Sequence, residues 1–123
     1  MKVVKHIEIT EELVENYAKL IGDFNPIHLD EEYAKTTIFK SRIAHGMLVS
    51  SFISSIIASD FPGPGSIYSY QDLKFIKPCY VGDKLKYIIE QTEVVNNKFE
   101  LSTKVYNHSN ELILDGSARV LKK

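Results

Sequence analysis

Asp23 and His28 stand five positions apart in the string IGDFNPIHLDEEYA, residues 21–34. A carboxylate and an imidazole make a competent acid–base pair, because the first accepts a proton from water and the second titrates near neutrality. On an unbroken helix five positions amount to about 140° of rotation, which would put the two side chains on different faces. Pro26 forbids that helix and pushes Asn25 towards extended backbone. Residues 23–29 therefore read as an irregular loop in which the two groups can converge. Gly22 permits a tight turn just before the carboxylate, and Asn25 adds an amide that donates and accepts without changing charge. The same spacing also suits a turn-forming aspartate and a solvated ring, so taken alone it leaves both readings open.

A second string is AHGML, residues 44–48, with Gly46 where a long apolar segment begins. The first amides of a helix have no acceptor inside it, and the helix dipole there favours negative charge. A glycine lets a ligand's oxygen approach that backbone, as an oxyanion hole requires. A glycine that only fits a tight entry into the core would look the same.

The elements that must position these residues are legible from periodicity. Residues 3–9 alternate loosely as a strand. Thr10 caps a helix with Glu11 and Glu12 in its first turn, an apolar stripe of Leu13, Val14, Tyr17, Ala18, Leu20 and Ile21, and Gly22 as its stop. Asp30 reads as the cap of a short helix over 31–37. The segment 46–59 is a helix apolar nearly all round, diluted by serines, and belongs inside something. FPGPGS ends it. Beyond Ser66 the period becomes two, through Leu73 and Phe75, then Leu85, Tyr87 and Ile89, then Phe99, Leu101, Thr103 and Val105, and last Leu112, Leu114, Ala118 and Val120. Asn96-Asn97 and Ser109-Asn110 stand where hairpin turns are needed. Four amphipathic strands make an antiparallel sheet with one apolar face, and helix 46–59 is its natural cover. The class is α+β, a sheet wrapped around a buried helix in the hot-dog manner, though periodicity alone would also permit another α+β sandwich.

Composition narrows the function. The chain of 123 residues has room for a single domain, 1–123, and its 44% hydrophobic and 25% charged residues are those of an ordinary globular protein. Fifteen Lys and Arg against sixteen Asp and Glu leave a net charge of −1, which provides no drive towards nucleic acid or an anionic membrane. The charged N-terminal MKVVKHIEIT is not a signal peptide, and residues 43–59 are slightly short for a membrane span. One cysteine, Cys79, excludes a disulfide framework, so a cytoplasmic location is expected. Cys79 has no His or Lys beside it in sequence and reads as an inert thiol. His6 and His108 lack partners at ligand spacing, so no metal is expected. His45 reads as a ring that fixes the helix entry, and Lys74 to Lys77 as solvated lysines that could meet phosphates.

Together the two strings resemble the (R)-specific enoyl-CoA hydratases of the MaoC-like hot-dog group, whose signature runs Gly-Asp-x-Asn-Pro-x-His. Gly22, Asp23, Asn25, Pro26 and His28 match it, with Tyr17 and Ala34 flanking, and AHGML, PGPGS and FIKPCYVGDKL follow in the family's order. The resemblance covers about residues 9–120. It implies reversible addition of water to a trans-2-enoyl thioester, giving the (R)-3-hydroxyacyl thioester. Asp23 and His28 would hold one water between them, Asn25 would orient the pair, and the Gly46 amide would receive the thioester oxygen. Ser54 and Ile57 match positions that shape the acyl pocket. The resemblance further implies no cofactor beyond the CoA of the substrate, and a twofold homodimer. Three rivals share the fold: a 3-hydroxyacyl-[acyl-carrier-protein] dehydratase, a non-catalytic subunit binding acyl thioesters, and a thioesterase.

Overall fold

The structure, a computed structural model, describes residues 1–123. Its chain runs β1 (Lys2–Glu8), α1 (Glu11–Ile21), α2 (Pro26–Leu29), α3 (Glu31–Ala34), α4 (Gly46–Ser59), β2 (Ile67–Gln71), β3 (Lys74–Phe75), β4 (Lys84–Val95), β5 (Lys98–Tyr106) and β6 (Leu112–Leu121). The strands form one antiparallel sheet in the order β1-β4-β5-β6-β2, with β3 also paired to β6. Val95 pairs with Lys98 across the Asn96-Asn97 turn, where Asn96 adopts a φ of 57°. Asn110, at φ 63°, lies in the connection from β5 to β6.

The sheet curls around α4. Leu48, Val49, Ile53, Ile56 and Ile57 of the helix share one core with Leu85, Tyr87 and Ile89 of β4, Leu101 and Val105 of β5, and Leu114 and Val120 of β6. Those strand residues recur at every second position, as a sheet with one buried face demands. The Tyr87 hydroxyl, wholly buried, donates to the Val49 carbonyl at 2.6 Å and so fixes the helix against the sheet. No helix is long and apolar enough to cross a membrane.

The structure differs from the sequence reading at four places. Residues 26–29 form a helical turn of their own, because a proline that cannot continue one helix is well suited to begin the next. The short helix after Asp30 stops at Ala34. The helix α4 leaves one side uncovered, with Met47, Ser51, Ser54 and Ser55 exposed, since the sheet covers only the opposite face. Strand β2 had no predicted counterpart, and of the alternation through Leu73 and Phe75 only the two-residue β3 (Lys74–Phe75) forms, with Leu73 outside it.

Candidate active site

Two helix ends bring the acid–base pair together. At the end of α1, Gly22 takes a left-handed φ of 78°, and the amides of Gly22 and Asp23 both donate to the Ala18 carbonyl, at 2.9 and 3.1 Å. The chain therefore leaves the helix with the Asp23 carboxylate at the bend. Oδ1 of Asp23 accepts the Asn25 amide at 3.2 Å, and Oδ1 of Asn25 caps α2 by accepting the Ile27 amide at 3.3 Å. One turn of α2 then delivers His28, which is 9% exposed.

One nitrogen of the His28 ring is held by a hydrogen bond. Nδ1 lies 2.7 Å from the Ile43 carbonyl, and a carbonyl oxygen can only accept. Nδ1 therefore carries the proton, and in the neutral ring Nε2 is left with a free lone pair. Burial lowers the pKa of His28. The Ile43 hydrogen bond opposes that shift, the neighbouring His45 adds to it, and the Asp23 charge partly offsets it. Side-chain donor atoms of Asp23, His28 and His45 all lie within 4.8 Å of one another. One water about 2.8 Å from each of two groups spans such a gap.

A metal ion fits this cluster poorly. The His28 and His45 rings are stacked, 3.8 Å between centroids and 28° between planes. An ion about 2.1 Å from a nitrogen of each ring would have to lie near both ring planes, and planes this nearly parallel do not meet within that reach.

The second half of the site is the start of α4. The amides of Leu48 and Val49 donate to the His45 carbonyl, while those of Gly46 and Met47 have no acceptor in the chain. Both therefore remain available to an incoming oxygen. The identity of Gly46 is set by close approach, because a Cβ there would stand 2.7 Å from the Phe75 ring. His28 and Gly46 line a common cavity of about 460 Å³, walled mostly by apolar groups including Ile43, Val49, Phe75, Ile113 and Leu114. Lys77 is its charged lining residue, held by Glu111 at 2.7 Å. Cys79 also lines it; burial, with some help from Asp83, pushes its thiol up to about 12, so it stays protonated.

Of the residues singled out in the sequence, His28 and Gly46 line this cavity, and Asp23 stands behind His28, its carboxylate within 4.8 Å of a ring nitrogen. Asn25 acts through its amide on Asp23 and its side-chain cap on α2. Ser54 is exposed and Ile57 lies in the core, and neither lines the cavity. The Ile43 carbonyl, which sets the His28 tautomer, and Phe75, which covers Gly46, were missed. A main-chain acceptor has no residue signature, whereas Phe75 was visible as an apolar strand position.

Known proteins match this arrangement over most of its length. A family model described as MaoC like domain matches residues 1–113. The chain belongs to the MaoC-like dehydratase family. That membership makes it a hydro-lyase. This MaoC-like chain is 40% identical over 114 residues to an (R)-specific enoyl-CoA hydratase of Rhodospirillum rubrum, covering 92% of this chain and 79% of that one. It is 37% identical over 117 residues to a mitochondrial 3-hydroxyacyl-[acyl-carrier-protein] dehydratase of Arabidopsis thaliana, covering 91% and 69%. Among solved structures, the unliganded R-hydratase PhaJ1 of Pseudomonas aeruginosa superposes with a TM-score of 0.95 at 41% identity, covering 99% of this chain and 79% of that one. The hot-dog fold expected from the sequence is the fold of these relatives.

The low pKa of His28 has a directional consequence. If the neutral ring is the working form, kcat/KM falls on the acid side with a midpoint below the ordinary imidazole value of 6.5. In the window between the lowered folded value and that ordinary value, the unfolded chain binds more protons. Stability therefore rises with pH through the window and levels off above it. Urea midpoints measured across the range should show that slope, and His28→Gln should reduce it.

Proposed function

We propose that the protein catalyses reversible hydration of a trans-2-enoyl-CoA to the (R)-3-hydroxyacyl-CoA. The observation that carries this reading is the His28 ring, whose Nδ1 is engaged by Ile43, with one ring nitrogen within 4.8 Å of an Asp23 carboxylate oxygen. A water bound between Asp23 and His28 gives one proton to His28 Nε2 as its oxygen bonds to the β-carbon. The electron pair of the double bond moves onto the thioester oxygen, which the Gly46 amide receives as it becomes an enolate. The imidazolium then returns its proton to the α-carbon from the same face. Asp23 holds the second hydrogen of the water and faces the charge that forms on His28.

The sums are of the expected size. A preorganised amide at the enolate oxygen lowers the barrier by about 3–4 kcal/mol, and acid–base catalysis adds about 10²–10⁴-fold. Water addition transfers no electrons to or from the substrate, so the reading includes no redox cofactor, and the stacked His28 and His45 rings suit no metal. CoA enters as part of the substrate. It also includes a homodimer, since β2 lies at an open edge of the sheet with Ile67, Tyr68 and Tyr70 exposed.

A second reading, dehydration of a 3-hydroxyacyl-[acyl-carrier-protein], is favoured by the likeness to the Arabidopsis enzyme and uses the same groups in reverse. The test is loss of enoyl absorbance with crotonyl-CoA beside the same acyl group on carrier protein, followed by chiral analysis. Faster turnover of the CoA ester to the (R) product is expected. Faster turnover of the carrier ester would select the second reading, and no turnover of either would dismiss both.

A further inference from the structure

One buried titratable ring has no part in the reaction just described. His45 is 3% exposed and immediately precedes the first residue of α4. Its Nε2 lies 3.1 Å from the main-chain carbonyl of Asp23, so Nε2 donates and carries the proton. In the neutral ring Nδ1 is then bare, and it is a fully buried side-chain polar atom without a partner. One face of the ring stacks on His28 at 3.8 Å, and Tyr17 of α1 meets it edge-on at 5.1 Å.

An unpartnered buried nitrogen is unfavourable, and a position that needed only volume would be better filled by an apolar ring. A polar group left in that condition calls for an explanation. The contacts of His45 provide one. The edge of its ring holds the backbone of Asp23, its face holds the imidazole of His28, and its own backbone leads directly into the Gly46 amide. Phenylalanine would keep the stacking face and lose the donor, whereas glutamine would keep a donor and lose the face.

We propose that His45 is a positioning residue that, as an Nε2–H imidazole, holds Asp23, His28 and the Gly46 amide in one fixed arrangement. The inference rests on the hydration reading for what that arrangement does. The titratable and charged groups around the ring are Tyr17, Asp23 and His28, with Cys79 and the Glu111-paired Lys77 on the adjoining cavity wall. Repulsion between the two rings when both are protonated disfavours charge on His28, so removing His45 lets His28 protonate at higher pH.

Kinetics of His45→Phe and His45→Gln with crotonyl-CoA across a pH series test the inference. His45→Phe should lose about 10²-fold in kcat, the scale of a misplacement of about 1 Å, with KM changed by less than about threefold. His45→Gln should recover about tenfold of that loss through its donor. In both variants the acid limb should move to higher pH. Wild-type kcat and an unmoved limb in His45→Phe would overturn the inference. An inactive wild type would instead overturn the hydration reading. Should neither variant fold, nitrogen NMR of the wild-type histidines at pH about 8 decides the matter. An Nε2–H tautomer at His45 supports the proposal, and an Nδ1–H tautomer defeats it.

Discussion

Asp23→Asn and His28→Ala should each lower the hydration rate of crotonyl-CoA by about 10²–10⁴-fold, the range for loss of an acid–base group. The two losses have different origins. In the proposed mechanism, His28→Ala removes the only group that takes the water proton and returns it to the α-carbon. Asp23→Asn keeps the shape and can still accept the Asn25 amide through its carbonyl oxygen, now 3.2 Å away. It removes the charge that faces the imidazolium as it forms. Because the proposed mechanism puts both groups on one water, the double variant should be scarcely worse than either single one, and far from the product of the two losses. Equal rates for wild type and both single variants would remove the mechanism.

A comparable loss should follow removal of the Gly46 donor. Gly46→Pro deletes the amide hydrogen at the first position of α4, where proline is compatible with a helix. The new ring would collide with Phe75, since even a Cβ would stand at 2.7 Å. The informative comparison is therefore Gly46→Pro with Phe75→Ala against Phe75→Ala alone. The pair should differ by about 10²–10³-fold in kcat, the cost of one oxyanion-hole donor, with far-ultraviolet circular dichroism unchanged. A pair with equal kcat would assign the enolate oxygen to another donor, with the Met47 amide next in line.

How much of this was readable beforehand depended on whether a residue's physical role leaves a pattern in the chain. The inward-facing residues of β4 and β5 recur at every second position, and burial follows that alternation through Leu85, Tyr87, Ile89, Leu101, Thr103 and Val105, whereas in β6 the adjacent Ile113 and Leu114 are both buried. The strand β2 left no such trace, because IYSYQ is exposed at four of its five positions and so shows no alternation. Pro26 was legible as a bar to carrying α1 on beyond its Gly22 stop and not as the start of α2, since the same locked φ serves both purposes. Within the site, Asp23, His28 and Gly46 were visible as residue types at particular spacings. The Ile43 carbonyl was invisible, because any residue offers one, and only the folded path of residues 39–45 puts it against His28. His45 was read as a ring at the helix entry. Its stacking on His28 depends on a tertiary contact that no local spacing encodes.

The central claim is that one Asp–His pair handles one water from one side of the substrate. Its most direct test is hydration of crotonyl-CoA in deuterium oxide, with the relative configuration at the α- and β-carbons of the product determined by proton NMR. The account predicts that the new hydroxyl and the new deuteron lie on the same face of the former double bond, with the (R) configuration at the β-carbon. A hydroxyl and a deuteron delivered to opposite faces would contradict it, because His28 cannot reach both sides.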